Sequence, residues 1–233
     1  MKQYGADTYL SPFTWRYGTD EMRQVWSVYH QRQIWRRIWV SMAEVQCELG
    51  LVSPAQVNDL KANASRVDLV RAAEIEADIR HDVMAEVKTY AEQCPVGGGI
   101  VHLGATSMDV QDNADAIRLT EALDLVITRT GDLMIALAEQ IETLADHTTM
   151  GFTHLQPAEP TTLGYRLAQY GQDLLSDYEA MGDVRSKLKG KGFKGATGTS
   201  ASYLQLFGGD LSRLEHFQTG MMEKLGVERN RMA

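Results

Sequence analysis

The chain has 233 residues, of which 44% are hydrophobic and 23% charged, the composition of an ordinary globular protein. Its formal net charge of −8 disfavours nucleic acid as the main partner, because a phosphate backbone attracts basic surfaces. A local group of Arg, His and helix N-termini can still bind a small anion. No apolar run has the length of a membrane span, and the segment 1–14 lacks the apolar core of a secretion signal, so we expect a cytoplasmic protein with no membrane partner.

Apolar residues at helical spacing dominate the first part of the chain. A helix is predicted over 19–49, where a cap residue and two acids begin it and Gly50 ends it. Ser53-Pro54 predicts a second helix start, because Ser is a preferred cap and Pro fits the first helical position. A third helical stretch is predicted over 68–94, with a break or bend at Arg80–Asp82.

Three consecutive glycines, Gly97–Gly99, interrupt this pattern, since glycine disfavours a helix interior. We predict a loop over 100–106 directly after them. The domain boundary is placed there, which gives an N-terminal helical domain at 1–106 and a central helix-bundle domain at 107–233.

Two apolar seams follow the boundary, with members three or four residues apart. They are Val126, Thr130, Leu133, Leu137, Ile141 and Leu144, and then Leu163, Leu167, Tyr170, Leu174, Tyr178, Met181, Val184 and Leu188. Such seams are typical of helix bundles. We therefore predict an all-α fold and a homo-oligomer, because helices this long often pack on those of other subunits. A last helix is predicted over 210–225.

Three polar segments interrupt the helices and are candidates for chemistry. The first is Arg80-His81-Asp82. It is either a solvent-exposed helix end or an anion site, in which Arg offers a fork of donors and Asp fixes the imidazole tautomer.

The second polar segment runs from Leu103 to Asp109, where a glycine-containing loop leads into a helix capped by Thr106 or Ser107. Free backbone N–H groups and hydroxyls at a helix N-terminus suit a carboxylate or a phosphate. The alternative interpretation is an ordinary capped helix, because caps of this kind are common.

The third polar segment, 150–162, contains two prolines and a glycine, which predict a turn between two long helices. His154 lies in this turn, and histidine is the side chain that most often acts as a general acid or base, although a single loop His is often structural. Thr161 is predicted to cap the helix that follows.

The remaining polar stretch, Lys189–Ser200, is a glycine-rich and locally basic loop. It does not follow a strand, so we reject a nucleotide-binding loop, and the sequence contains no other common catalytic or metal-binding motif. Cys47 and Cys94 stand apart and are expected to be reduced thiols.

Taken together, these segments resemble the fumarase/aspartase superfamily, and most closely its adenylosuccinate lyase family. The similarity rests on several ordered motifs and extends from about residue 10 to about residue 225. The motifs are Ser11-Pro12 with Arg16-Tyr17, Arg80–Ala85, Gly104–Ser107, Thr153–Ala158 and Lys194–Thr199. Two departures are Glu159, where the family often has Gln, and Met108-Asp109, which matches some subfamilies better than others.

The resemblance implies a fumarase/aspartase-like bundle that eliminates fumarate from a succinyl nucleotide, a small-molecule substrate, by β-elimination at a C–N bond in purine biosynthesis. It implies a homotetramer at full length and no metal or organic cofactor. Two alternatives stay open: a sibling lyase or cycloisomerase on the same scaffold, and a non-catalytic helical oligomerisation protein.

The resemblance also assigns roles to individual residues. His154 would be the general acid, and His81 would assist it or lie near the substrate phosphate. Arg16 and Tyr17 would hold the substrate phosphate, and Arg80, His81 and Asp82 would line the nucleotide site. The succinyl carboxylates would be bound by Thr106, Ser107 and Thr153.

One family motif is absent from the 233 residues. The family's mobile loop, of the type Ser-Ser-x-Met-Pro-x-Lys-x-Asn-Pro, carries the serine base and a lysine, and the sequence does not contain it. We therefore expect the chain to be an N-terminal fragment with an incomplete bundle and negligible lyase activity by itself.

Overall fold

A computed structural model of the chain describes residues 5, 7–11, 13–14 and 16–230. Helices make up most of it and include two long ones, so the predicted all-α fold is confirmed. The helices are α1 Asp20–Val25, α2 Val28–Glu48, α3 Pro54–Asn63, α4 Leu69–Ile79, α5 Asp82–Gln93, α6 Ser107–Thr143, α7 Leu163–Lys187, α8 Ala201–Leu206 and α9 Leu211–Leu225. A 3₁₀ turn spans Gly98–Ile100, and the strands β1 Thr148–Thr153 and β2 Gln156–Thr162 form a hairpin.

Local capping chemistry sets most of the helix starts. The Ser53 side chain accepts a hydrogen bond from the backbone N–H of Gln56, and the Gln56 side chain accepts one in return from the Ser53 backbone. This is the reciprocal capping box that satisfies two otherwise unpaired donors. Asp210 caps α9 in the predicted place. The chain also breaks between α4 and α5 as predicted, because Arg80 adopts a left-handed conformation with φ of 57°.

The first predicted helix is wrong in one respect, since it is two helices. Ser27 has an extended backbone, and its hydroxyl accepts a hydrogen bond from the backbone N–H of His30. That bond starts α2 at a cap two residues after Val25, where α1 ends. A Ser side chain that competes for backbone N–H groups favours such a cap over a helix interior.

The segment between α6 and α7 is a β-hairpin rather than the predicted simple turn. β1 and β2 are antiparallel, with Thr148 opposite Thr162 and Thr153 opposite Gln156. Only His154 and Leu155 connect them, and both have positive φ, 49° and 62°. Paired positive φ values match the two-residue turns that suit the twist of a hairpin. Thr162, and not the predicted Thr161, caps α7 through its hydroxyl.

The chain divides into two compact units, the first formed by 1–119 with 189–233 and the second by 120–188. The predicted domain boundary at residue 106 stays a prediction. In the first unit, Trp35, Trp39 and Tyr90 are almost fully buried in one apolar core. That core also encloses an ion pair, in which Nε of Arg36 donates to Oε1 of Glu86 over 2.8 Å.

The second unit consists of the later part of α6, the hairpin and α7. Gly164 allows α7 to approach α6 closely, because a Cβ there would lie 2.5 Å from the carbonyl oxygen of Ile141. Within the described part of the chain, no helix combines the length and apolarity required to span a membrane.

Candidate active site

Two of the predicted polar segments meet in the first unit, where α5 and α6 begin. His81 caps α5, since its Nδ1 accepts a hydrogen bond of 3.4 Å from the backbone N–H of Met84. Its Nε2 lies 3.4 Å from the hydroxyl oxygen of Ser107. An acceptor at Nδ1 leaves the ring proton of a neutral imidazole on Nε2. His81 therefore donates to Ser107, whose own hydroxyl hydrogen stays available for another acceptor.

Asp82 fixes the relative position of these two helix starts. Its Oδ1 accepts the backbone N–H of Val83 over 2.7 Å, and its Oδ2 accepts the side-chain amide of Gln111 over 3.0 Å. Gln111 lies one turn into α6. The structure thus brings together four predicted site residues, namely His81, Asp82, Thr106 and Ser107. Arg80 directly precedes them and is exposed.

Arg16 and Tyr17 belong to the first unit and lie in a turn ahead of α1. The backbone N–H groups of both donate to the carbonyl oxygen of Phe13. The Tyr17 ring packs against that of Phe13 with centroids 6.0 Å apart, yet 73% of Tyr17 is exposed. Both side chains are therefore accessible to a solute. Pro12, which belongs to the same predicted motif, lies outside the described residues.

Thr153 and His154 lie in the second unit, at the tip of the hairpin. Thr153 is the last residue of β1 and pairs with Gln156. Both side chains are exposed, and Leu155 beside them is 93% exposed. The two-residue turn holds the His154 backbone in the left-handed region, which is uncommon for a residue other than glycine and fixes where the imidazole begins.

His102, which is not among the predicted site residues, lies in the loop before the Thr106–Ser107 turn. Its backbone has φ of 69°, and its Nδ1 accepts a hydrogen bond of 3.1 Å from the indole N–H of Trp39. Burial lowers the pKa of His102, while Asp109 opposes that shift and His81 adds to it. An indole can only donate, so His102 is neutral with its proton on Nε2. The sequence signal that could have indicated His102 is a histidine within the predicted loop 100–106.

Asp109 is the second residue near the site that is not among the predicted site residues. It lies on the first turn of α6 and is fully buried. Its Oδ2 accepts the backbone N–H of Thr106 over 3.2 Å. Its Oδ1 accepts the backbone N–H groups of Lys194 and Gly195, each over 3.1 Å. Asp109 therefore connects the Thr106–Ser107 turn with the glycine-rich loop.

A cavity of about 340 Å³ lies between this turn and the glycine-rich loop. Thr106, Thr197, Thr199 and Ser202 contribute hydroxyl groups to its lining. The ammonium group of Lys194, in the glycine-rich loop, has a partner within the same unit, because its Nζ donates to the Gln218 side chain over 2.8 Å. Apart from Lys194, the residues that line the cavity are uncharged, and several of them are Gly or Ala.

A helical fold whose polar turns collect His, Ser and Thr side chains agrees with that of a helical lyase. A family model described as Lyase matches residues 14–207, and the chain belongs to this lyase family. Adenylosuccinate lyases are among its relatives. The enzyme of Saccharomyces cerevisiae is 37% identical over 227 residues, which cover 96% of this chain and 47% of that protein.

Other relatives give the same result. The adenylosuccinate lyase of Schistosoma mansoni is 37% identical across 96% of this chain and 47% of its own length. That of Schizosaccharomyces pombe is 39% identical across 92% of this chain and 45% of its own. The predicted family resemblance is confirmed, and the chain spans about half the length of the curated relatives it matches.

Solved structures support the fold. The 3-carboxy-cis,cis-muconate lactonizing enzyme of Pseudomonas putida has a TM-score of 0.83 at 27% identity, over 95% of this chain and 50% of that one. A fumarate lyase of Mesorhizobium has a TM-score of 0.81 at 23% identity, over 93% of this chain and 51% of that one. The second likeness concerns the fold alone.

Proposed function

We propose that this chain forms part of an adenylosuccinate lyase. The reaction is the elimination of fumarate from adenylosuccinate to give AMP, and from the succinyl-aminoimidazole-carboxamide ribotide in the same way. The observation that carries the proposal is the 37% identity to an adenylosuccinate lyase across 96% of the chain. The proposed enzyme class is a C–N lyase, and the proposed substrate class is a succinyl nucleotide.

The reaction sets demands that the described residues can meet in part. A base removes a proton beside a carboxylate, and the dianion that forms needs fixed hydrogen-bond donors. Thr106 and Ser107 offer hydroxyls, and Ser107 also its backbone N–H, at the start of α6, where the helix dipole favours an anion. Because His81 donates to the Ser107 oxygen, the Ser107 hydroxyl can turn its own hydrogen toward a substrate carboxylate.

Protonation of the departing nitrogen is assigned to His154, with Thr153 beside it as a carboxylate ligand. The exposure of His154 on a two-residue turn supports this role, because a general acid must reach the atom that it protonates. The base is not among the residues assigned here, since the loop motif that carries it is absent from the 233 residues. We therefore propose that the chain by itself releases fumarate at a negligible rate.

The distal parts of the substrate are assigned to the first unit. Arg16 and Tyr17, both exposed, are proposed to hold the phosphate, and Arg80 with Asp82 to lie along the nucleotide. A phosphate far from the breaking bond is held about equally in the ground and transition states, so these residues act mainly on substrate affinity.

We also propose that the protein is a homo-oligomer, a tetramer at full length. Large apolar side chains of the second unit are exposed, among them Leu133 at 54%, Ile135 at 65% and Tyr170 at 66%. Several large apolar side chains exposed in one unit favour a surface that other subunits cover. Sedimentation of the chain as a monodisperse monomer would contradict the proposal.

The decisive experiment uses a protein that carries this chain at the full length of its relatives. Fumarate release from adenylosuccinate, followed by absorbance, is expected at an ordinary enzymatic rate. His154→Ala should lower the turnover number by about 10²–10⁴, the span of a general acid. His147→Ala is the matched control, since His147 is an exposed His of the same unit and makes its described hydrogen bonds through the backbone. Unchanged turnover in His154→Ala would refute the assigned role.

A second candidate function is cycloisomerisation, favoured by the likeness to the lactonizing enzyme of Pseudomonas putida. Offering 3-carboxy-cis,cis-muconate, argininosuccinate and adenylosuccinate to the same full-length protein separates these reactions. A protein that turns over none of them, and binds neither AMP nor adenylosuccinate in calorimetry, would instead be a non-catalytic helical oligomerisation protein.

A further inference from the structure

The buried carboxylate of Asp109 gathers hydrogen bonds from segments that are far apart in sequence. Oδ2 accepts the backbone N–H of Thr106 over 3.2 Å and the phenol O–H of Tyr203 over 2.9 Å. Oδ1 accepts the backbone N–H of Lys194 over 3.1 Å. The backbone N–H of Gly195 lies 3.1 Å from both oxygens. One side chain therefore satisfies three loop N–H groups and one hydroxyl.

This arrangement is demanding, because a fully buried acid must be compensated by donors or by positive charge. Asp109 receives both. Nζ of Lys191 lies 3.5 Å from its Oδ1, and the backbone N–H bonds add their dipoles. Hydrogen bonds to a carboxylate are shorter and stronger than those between neutral groups. The loop N–H groups of Thr106 and Lys194 lie outside helices and strands, so Asp109 replaces the partners that regular structure would give them.

We propose that Asp109 is a positioning residue, which holds the Thr106–Ser107 turn at a fixed distance from the Lys194–Gly195 loop and thereby sets the width of the cavity between them. This inference rests on the proposed function only in the part that makes Thr106 and Ser107 ligands of a substrate carboxylate. A second bond supports the same closure, since the Ser202 hydroxyl donates to the carbonyl oxygen of Gly104 over 2.8 Å.

The sharpest variant is Asp109→Asn, which keeps the shape and removes one acceptor. An amide has one oxygen and one NH₂ group, so it cannot accept on both sides. The NH₂ group fits the Oδ2 position, where the Tyr203 oxygen can turn to accept from it. The backbone N–H of Thr106 then loses its partner, whereas that of Lys194 keeps the amide oxygen. The variant is thus expected to release the turn and not the loop.

Amide hydrogen exchange on the 233-residue chain measures this directly. In Asp109→Asn, the Thr106 amide should exchange about tenfold faster or more, because a bond to a charged acceptor is lost. Amides of 54–79, which covers α3 and α4, should keep their rates. Equal acceleration in both regions would show a general loss of stability, and unchanged exchange at Thr106 would show that Asp109 does not hold the turn. Either result overturns the proposal.

Two control variants isolate the effect. Asp112→Asn removes the same charge one turn along α6 from a half-exposed residue that also approaches Lys191, at 3.7 Å. Tyr203→Phe removes one bond to Asp109 and leaves the three loop N–H groups bound. Thr106 exchange within about threefold of the wild-type rate is expected in both, since each keeps the carboxylate on Thr106. Tenfold acceleration in Asp112→Asn would assign the effect to net charge and contradict the proposal.

A measurement on the unaltered chain keeps the proposal testable if Asp109→Asn does not fold. The Thr106, Lys194 and Gly195 amides each donate to this buried carboxylate, so all three should exchange at least about tenfold more slowly than amides of an unstructured peptide. Exchange of the Thr106 amide at the rate of an unstructured peptide would contradict the proposal.

Calorimetry with adenylosuccinate then links position to binding. Asp109→Asn should bind about tenfold more weakly than the wild type, and Asp112→Asn should bind equally well. If Thr106 is released but affinity is unchanged, the positioning role has no bearing on the site and is overturned. These titrations use the protein at the full length of its relatives, where a wild type that binds no adenylosuccinate would count against the proposed function. The exchange results on the 233-residue chain would still decide whether Asp109 holds the turn.

Discussion

A methyl group added at Gly104 tests the packing under the Thr106–Ser107 turn. Gly104 has φ of 80°, a conformation that residues with a Cβ rarely adopt. A Cβ at this position would overlap Cδ1 of Leu206 and would lie 3.2 Å from Cδ1 of the buried Tyr203. The Gly104→Ala variant therefore meets both backbone strain and a steric clash, next to the residues proposed to bind substrate.

The two costs can be added from their separate magnitudes. A left-handed backbone costs a residue with a Cβ about 1–2 kcal/mol. Overpacking by one methyl group in a filled site costs about 1–3 kcal/mol. Gly104→Ala should therefore lower the free energy of unfolding by about 2–5 kcal/mol.

Two other glycines of the same unit separate these costs. Gly50 has φ of 72° but no atom within 4 Å of an added Cβ, so Gly50→Ala should show the backbone cost alone, about 1–2 kcal/mol. Gly99 also has open space and lacks the left-handed backbone, so Gly99→Ala should be neutral or stabilising by up to about 1 kcal/mol. Urea unfolding followed by the fluorescence of the buried Trp35 and Trp39 measures all three.

The order of the three variants is the decisive result. Gly104→Ala must be clearly less stable than Gly50→Ala, and Gly50→Ala less stable than Gly99→Ala. Equal stability of Gly104→Ala and Gly50→Ala would refute the packing of Leu206 and Tyr203 against the turn.

Two further predictions concern buried ionisable groups of the first unit. Burial lowers the pKa of His102 in the folded chain, so the unfolded chain binds more protons between that lowered pKa and its own pKa near 6.5. The free energy of unfolding should therefore rise with pH through this window and reach its full value above about pH 6.5. Urea midpoints of the wild type, measured across this pH range, should show the rise. A His102→Asn variant with the same slope would contradict the prediction. Arg36→Met removes the guanidinium that donates to the buried Glu86 and, among the described residues, leaves only Arg32, at 3.9 Å, beside that carboxylate. Urea unfolding should show a loss of about 3–5 kcal/mol. Arg185→Met, which breaks the exposed pair with Asp124, should cost less than about 1 kcal/mol, and equal costs would refute the contrast.

Helix ends were predictable where a single residue decides them. Ser53 caps α3, Asp210 caps α9, and the chain breaks at Arg80 as the sequence indicates. Each of these depends on side-chain oxygens or backbone angles within about one helical turn, so the information is local. The break at Ser27 is equally local. It was missed because the apolar spacing on both sides is helical and hides the cap.

The hairpin was not predictable from the same kind of signal. Its pairing joins Thr148 to Thr162 and passes a register shift between Met150 and Phe152, so the alternation expected of a regular strand is broken. Two long helices also flank it, which favours a simple connecting turn. The turn residues His154 and Leu155 lack the Asn or Gly that commonly marks a two-residue hairpin loop.

The predicted site was incomplete for a related reason. His81, Asp82, Thr106 and Ser107 came from family motifs, and the fold brings them together. Asp109 was passed over because its partners lie 85 residues away at Lys194 and 94 residues away at Tyr203. The spacing of residues along the sequence does not indicate such long-range contacts, which form only when the unit is folded.

His81 can be both a helix cap and a residue of the proposed substrate site. Ser, Thr, Asp and Asn are the favoured helix caps, and His is not among them. A short cap would bind the N–H of Met84 but would lack a second nitrogen, on the far side of a ring, to reach Ser107. The imidazole does both, with Nδ1 accepting from Met84 and Nε2 at 3.4 Å from Ser107. The helix end is therefore what orients the ring, and the proposed role of His81 at the substrate depends on its role as a cap.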